Sequence, residues 1–431
     1  MCWPARAKRW SRNTPSRRAT DCRPVTAVPD SRHSSTRLWL GRLLGIAFGV
    51  ALAWLLAEVL LRVLFFALPP RLQLVLGPVR VTPFSERGLL PDPIWQPDID
   101  YLTIARPVTN YEQFGSAEVR FTVTTEQLWT MRGAFRTRQE LVDRYVDGVV
   151  VGDSFAFCFT DAADCWVDRL AEQTDRNLIN LGVVSTGSVA HLRVLEDFGL
   201  PLKPPLVLWQ WYGNDANEDY GLAALRGEAQ AAPASDTPPA AERSWLEENS
   251  AVYVLFQTLL GEDDRYAASL QFLDQHWVQE GDLRLGFGRP YLWGAFDLSR
   301  PQNQEGWALS QDAFRAAQEQ VEGYGGHLVI VLMPTKEQVY RDLAGPLIGA
   351  ERMALLDENY QAMLEFCDSE GLTCLDPLPA FQERAAAGEQ LYYATDIHLT
   401  PRGNAVLADW LAAWLAENPD VFTLTEGSRA R

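Results

Sequence analysis

The chain has 431 residues, a mass of 48.4 kDa and 47% hydrophobic side chains, enough for two or three domains or one large buried core. Its 15 Trp, 19 Phe and 13 Tyr exclude a disordered chain, and 30 Gly with 6 Cys exclude a collagen-like or disulfide-dense miniprotein. The net charge of −18 is unevenly spread: residues 1–42 carry ten Lys or Arg and two Asp, net +8, which leaves net −26 on the remainder. A body that acidic repels a phosphate backbone, so nucleic-acid binding is not expected.

The basic segment runs into Leu43–Leu68, an apolar stretch interrupted only by Glu58 and Arg62. At about 1.5 Å per residue, the helix from Leu43 to Leu61 spans roughly the thickness of a bilayer core. Glu58 and Arg62 stand four apart and pair on one helical face, with Arg62 near enough to the outer end to snorkel. Pro69-Pro70 is expected to end the helix. The rivals are a buried core helix and a cleaved signal peptide. The length of the run, with no small-x-small site after it, favours an uncleaved anchor. Arginines on its N-terminal side predict a cytoplasmic N-terminus and a large domain that is periplasmic or extracellular.

Residues 71–140 have strand character, clearest in the alternation Val119-Arg120-Phe121-Thr122-Val123-Thr124. After Asp147, short apolar runs alternate with helical segments: Val149–Val151, Leu178–Leu181, Leu206–Trp211, Leu328–Met333 and Leu372–Leu375. Strands separated by helices imply right-handed crossovers and a parallel sheet. An insertion at about 221–320 opens with the Ala/Pro-rich Ala229–Ala241, expected to be a linker, and continues with aromatic residues expected to pack as a cap or flap. The expected organisation is a basic disordered cytoplasmic tail over 1–37, a transmembrane anchor over 38–69, a small β-rich extension over 70–140, and an α/β domain over 141–430 carrying the insertion.

Cys158 and Cys165, like Cys367 and Cys374, are separated by six intervening residues. Outside the cytoplasm four cysteines allow three pairings, and the repeated spacing favours two local bridges, each stabilising by about 2–3 kcal/mol. The alternative is four small buried hydrophobes. Without Cys-x-x-Cys or clustered His, no zinc or other metal site is expected.

Four short segments carry chemistry. Val149-Val150-Val151-Gly152-Asp153-Ser154 ends a buried strand in a serine, and ligands in open α/β sheets gather at the carboxyl ends of strands. Asn180-Leu181-Gly182-Val183-Val184-Ser185-Thr186-Gly187 is a glycine-containing loop after the second strand. The third strand runs into Gly213-Asn214-Asp215, where an asparagine amide can face a developing oxyanion, although the tripeptide is usually a turn. Asp396-Ile397-His398 lies just before Thr400-Pro401, a helix cap followed by the favoured first residue. Serine needs a base, histidine is the usual one, and a carboxylate orients it. The other exported histidines, His191, His276 and His327, are expected to be structural.

In this order, the four segments resemble the SGNH (GDSL-like) hydrolase superfamily over roughly residues 145–416, omitting the insertion. The resemblance implies a flavodoxin-like three-layer α/β/α fold, with Ser154 as nucleophile, His398 as base and Asp396 as its partner. The oxyanion hole would combine the Ser154 N–H, a backbone N–H at Ser185 and the Asn214 side chain. Two features depart from the usual pattern. Ser185 stands where a glycine is common, and a single residue separates Asp396 from His398. The short spacing, with Pro334-Thr335-Lys336-Glu337, is similar to extracytoplasmic sugar O-acetyltransferases of the same clan, although the latter segment is first of all a strand-to-helix turn.

The leading expectation is a membrane-anchored serine esterase acting on an acyl ester or acylated glycan through an acyl-serine, without a cofactor. The alternatives are an O-acyltransferase for an envelope polysaccharide, supplied with acyl groups by a multi-span partner, and a carbohydrate-binding module that has lost turnover.

Overall fold

The computed structural model describes residues 32–69, 72, 75–76, 94–114, 118–128, 133–232, 244–260 and 274–425. Residues 1–31 of the basic tail and most of Ala229–Ala241 lie outside them, while residues 32–37, expected to be disordered, begin a helix. The chain divides into two compact units, Met1–Leu56 and Ala57–Arg431.

Helix α1, Arg32–Val63, contains the one stretch among the described helices long and apolar enough to cross a membrane, Trp39–Val63. It ends before the expected proline stop and gives way to a 3-10 turn at Phe65–Ala67. The expected β-rich segment forms two antiparallel hairpins: β1 (Trp95–Asp98) with β2 (Leu102–Ala105), and β3 (Val108–Phe114) with β4 (Arg120–Thr125). In β4 the alternation seen in the sequence buries Phe121, Val123 and Thr125.

All five apolar runs become strands of one parallel sheet: β5 (Gly148–Val151), β6 (Leu178–Asn180), β7 (Leu206–Tyr212), β10 (His327–Met333) and β11 (Thr373–Leu375). Their spatial order is β11-β10-β7-β5-β6, so the chain reverses its direction of growth between β5 and β7. That is the flavodoxin-like order, and the crevice at the reversal point is where such sheets hold ligands. Strands β8 (His276–Glu280) and β9 (Leu283–Phe287) form a separate hairpin in the insertion.

The central strands β5, β7 and β10 are buried on both faces because helices cover both. Val150, Leu208 and Val331 join one core cluster, with residues of Trp166–Thr174 and Pro401–Glu417. Val149, Trp209 and Ile330 face the other way, against residues of Pro301–Gly323. Helix α2 is Ser154–Phe157, α3 Trp166–Thr174, α4 Ser188–Val194 and α5 Asp215–Arg226. Helix α6 is Ala251–Leu260, α7 Pro301–Gly323, α8 Ala350–Glu370 and α9 Pro401–Glu417. Helix α7 is the regular crossover into β10 and packs on α5, so the true insertion ends near 300 rather than 320. Their approach is so close that a Cβ at Gly306 would stand 1.8 Å from the Ala216 carbonyl oxygen.

Disulfides join Cys158 to Cys165 and Cys367 to Cys374. The first closes the loop between α2 and α3. The second ties the end of α8 to β11, beside the αL cap at Gly371.

The loop after β6 lies directly against α2: a Cβ at Gly182 would come within 2.5 Å of the Phe157 nitrogen and 2.7 Å of the Ala156 carbonyl carbon. Gly182→Ala therefore forces the loop and α2 apart, and chemical denaturation should show a loss of about 1–3 kcal/mol. An unchanged unfolding midpoint would mean that the two segments are not packed as described.

Candidate active site

Strand β5 delivers Asp153 and Ser154 at its carboxyl end. Asp153 caps α2 by accepting from the Phe155 N–H at 2.8 Å, and its own N–H donates to the Gln210 side chain on β7 at 2.9 Å. Ser154 is thus the first residue of a short helix, and among the described residues its N–H has no acceptor. The helix is pinned through its carbonyls. Trp166 Nε1 donates to Phe155 O, and Asn180 Nδ2 donates to Ala156 O, both at 2.8 Å. The Arg136 guanidinium donates to the carbonyls of Phe157, Cys158 and Thr160.

The partner segment comes from the loop entering α9. Thr400 caps α9 through the Gly403 N–H, with Pro401 as first helical residue. Just upstream, Asp396 Oδ1 accepts from the His398 backbone N–H at 2.9 Å and is also bonded to His398 Nδ1. One carboxylate oxygen can take both because a single residue separates the two positions. His398 Nε2 lies 2.7 Å from Ser154 Oγ, so residues 244 apart in sequence form a continuous relay. The imidazole is flanked by the Phe155 and Phe159 rings, with centroids 5.0 and 4.0 Å away.

Burial alone would raise the Asp396 carboxyl. The His398 ring and its hydrogen bonds, together with Arg289, outweigh it and hold Asp396 well below the usual carboxylate range. The group stays ionised and fixes the imidazole with its other nitrogen toward Ser154.

The loop that carries this pair is held from three directions that sequence reasoning missed. Lys336, fully buried, donates from Nζ to the carbonyls of Tyr393 and Ala394 at 3.3 Å and Asp396 at 3.1 Å. Arg289 donates to the Thr395 carbonyl and stands 3.9 Å from Asp396 Oδ2. Asp274 lies between these cations, 3.3 Å from Arg289 Nε and 3.6 Å from Lys336 Nζ. From the β-rich segment, Glu118 accepts from the N–H groups of Ala394 and Thr395. The Pro334-Thr335-Lys336-Glu337 segment is the expected turn, with a Thr335/Gln338 capping box, and also the source of this buried ammonium. A lone Lys amid apolar strand ends was the available signal. Arg289, Asp274 and Glu118 gave none, because their partners are far away in sequence.

The oxyanion candidates fare unequally. Ser185 does adopt the left-handed conformation, φ 56°, that glycine would supply more cheaply, and it stands exposed on its loop. Asn214 lies at the carboxyl end of β7 as expected, but its Nδ2 donates to Glu218 Oε1 at 2.8 Å, one turn along α5. His191 is buried against Trp209 and Thr186, and burial pushes its pKa down to about 3, so it stays neutral. His327 bonds the Thr423 carbonyl, and His276 lies in β8. No cluster of metal-ligating side chains occurs among the described residues.

The relayed serine thus stands at the carboxyl end of the first strand of a five-stranded parallel sheet. Residues 292–429 match the family described as the SGNH hydrolase-like domain of the acetyltransferase AlgX. That span contains Lys336, Asp396 and His398 and begins after Ser154. The probable alginate O-acetylase AlgJ of Pseudomonas putida is 29% identical over 133 residues, 30% of this chain and 32% of the relative. The chain thus matches about a third of that relative's length. Among solved structures, LAE5, an α/β hydrolase from the metagenome of Lake Arreo, is 14% identical with a TM-score of 0.34, covering 64% of this chain and 95% of its own. A mutant of Axe2, an acetyl-xylooligosaccharide esterase from Geobacillus, is 12% identical with a TM-score of 0.34, covering 66% and 96%.

Two outcomes follow from the charges. Lys336→Met leaves three carbonyls without their cation and Asp274 with Arg289 alone, and should cost about 3–5 kcal/mol in unfolding free energy, as for other broken buried pairs. A variant as stable as the parent would show that the ammonium does not hold the loop. Burial raises Asp153 to about 6, against the opposing Phe155 N–H and the His398 charge. The unfolded chain releases this proton nearer pH 4, so the contribution of Asp153 to stability is full below about pH 4 and lost as pH rises through about 6. Asp153→Asn should therefore raise the melting temperature at pH 8 and leave it unchanged at pH 4. A gain of the same size at both pH values would contradict the shift.

Proposed function

We propose that this protein transfers an acyl group, most simply acetyl, through an acyl-Ser154 intermediate to a hydroxyl of an extracytoplasmic polysaccharide. The observation that carries the acyl-serine chemistry is the Ser154–His398–Asp396 relay, with 2.7 Å from Oγ to Nε2. His398 takes the Ser154 proton as Oγ bonds to the acyl carbon of the donor, then returns it to the departing group. In the second half an acceptor hydroxyl gives its proton to His398 and bonds to the same carbon, and the Ser154–acyl bond breaks as Oγ regains the proton. The N–H groups of Ser154 and Ser185 and the Asn214 amide serve the oxyanion. One of the two Asn214 amide N–H groups already donates to Glu218, which leaves the other for this role.

The choice of a sugar hydroxyl over water is supported by the similarity of residues 292–429 to an acetyltransferase domain and by the relation to an alginate O-acetylase. The one-residue Asp396–His398 spacing supports it less than the sequence alone suggests, because that spacing also serves to give both His398 bonds to one oxygen. Hydrolysis is the second reading. Ser154 and Asp396 are each only partly buried, so water reaches the relay. The helix Trp39–Val63 supports a single-pass anchor with the N-terminus in the cytoplasm, and a multi-span partner would then deliver the acyl group.

Full-length protein in detergent, acylated with a chromogenic ester, separates the two acceptors. Acyl transfer predicts a deacylation rate that rises with added envelope polysaccharide and an acylated sugar as product. A rate set by water alone would overturn it in favour of hydrolysis. Ser154→Ala and His398→Ala should each lower turnover about 10³-fold or more, and the double variant no further, since the residues act as a unit. Retained turnover in His398→Ala would refute the relay.

A further inference from the structure

Glu58 and Arg62, the two charges that interrupt the apolar stretch of α1, are both buried and are bonded to each other at 2.6 Å. They also hold the insertion. Glu58 accepts from the Ala251 and Val252 N–H groups at 2.8 and 3.1 Å and from Ser250 Oγ at 3.0 Å, while Arg62 donates to the Asn249 carbonyl at 2.9 Å. A carboxylate thus caps the first turn of α6, where the free N–H groups and the helix dipole favour an anion. Apolar contacts complete the joint: Phe65, Ala251 and Val254 form a buried cluster against which Leu61 packs. Helix α6 is therefore fastened to the last two turns of α1, within one compact unit.

Its outward face has no cover among the described residues. Leu259 is 74% exposed, Phe256 57% and Leu260 56%, and Trp245 just upstream is 70% exposed. From Trp245 to Leu260 there are two acidic residues, Glu247 and Glu248, and no Lys or Arg; the ten residues of α6 carry no charge. An uncharged, apolar helix led in by a tryptophan, and locked to the end of the one described helix able to span a membrane, has a bilayer as its nearest apolar phase. We infer that α6 is a second membrane contact, lying in the interface beside the outer end of the anchor with Phe256, Leu259 and Leu260 among the acyl chains. With no basic residues, the contact is apolar rather than electrostatic and does not require anionic lipid. The inference rests on the anchor reading of α1 given above.

The test uses full-length protein in phosphatidylcholine vesicles, with Cys2→Ser and Cys22→Ser and one environment-sensitive fluorophore on an introduced cysteine. Leu259→Cys reports on α6, Leu52→Cys on the anchor, and Asp312→Cys on the exposed surface of α7. The Leu259 label should be quenched by nitroxides on acyl chains and lose most of its quenching by aqueous iodide, as the Leu52 label does, with the Asp312 label showing the reverse. A Leu259 label that behaves like Asp312 while Leu52 stays in lipid overturns the inference and leaves the anchor standing. That result would mean that the face is open to water. A Leu52 label open to iodide overturns the anchor, and the inference with it.

Discussion

The site depends on one buried ion cluster. Three carbonyls of the Tyr393–Asp396 turn converge on the Lys336 ammonium, Arg289 binds the carbonyl between them, and Asp274 balances the two cations. Turn carbonyls point inward here, away from water, and a buried carbonyl without a donor costs about 1–3 kcal/mol. A single cation that satisfies three of them also fixes the direction of the chain at Asp396. From there the geometry propagates: the fixed carboxylate sets the imidazole, and the imidazole reaches the serine.

Ser154 is fixed by an equivalent device with different parts. Helix α2 has only four residues, too short to hold itself together. Its carbonyls are taken by Trp166, Asn180 and Arg136, and the Cys158–Cys165 bridge closes the segment behind it. Both halves of the relay are thus short irregular segments whose backbone oxygens are satisfied by side chains from elsewhere. That is how a catalytic group can be held rigidly on a loop, and why pieces as distant as Glu118 and Arg289 belong to the site.

The insertion has two ends with different tasks. Asp274 and Arg289 reach the relay loop, while Ser250, Ala251 and Val252 are bonded to Glu58 near the end of α1. Glu58 and Arg62 would be costly charges inside an apolar helix. Paired with each other and with a helix terminus, they form a specific joint, so the same two residues that look like an interruption of the apolar stretch determine what is attached to it.

Sequence alone determined the sheet, because its central strands are apolar on both faces and a run of that kind has only one stable setting, between two layers of helices. It also determined Ser154, Asp396 and His398 as candidates, since strand ends and helix caps are local events that short segments such as Gly152-Asp153-Ser154 and Thr400-Pro401 announce. The outer limit of the insertion was misjudged because the apolar face of α7 reads the same whether the helix covers a sheet or caps a pocket. Tertiary structure decided what Lys336 does, that Asn214 donates to Glu218, and that Glu58 caps α6. Each of these is a pairing between a charge or an amide and a group remote in sequence or a turn away. Such pairings leave no periodicity behind; they exist only once folding has excluded water from around both partners.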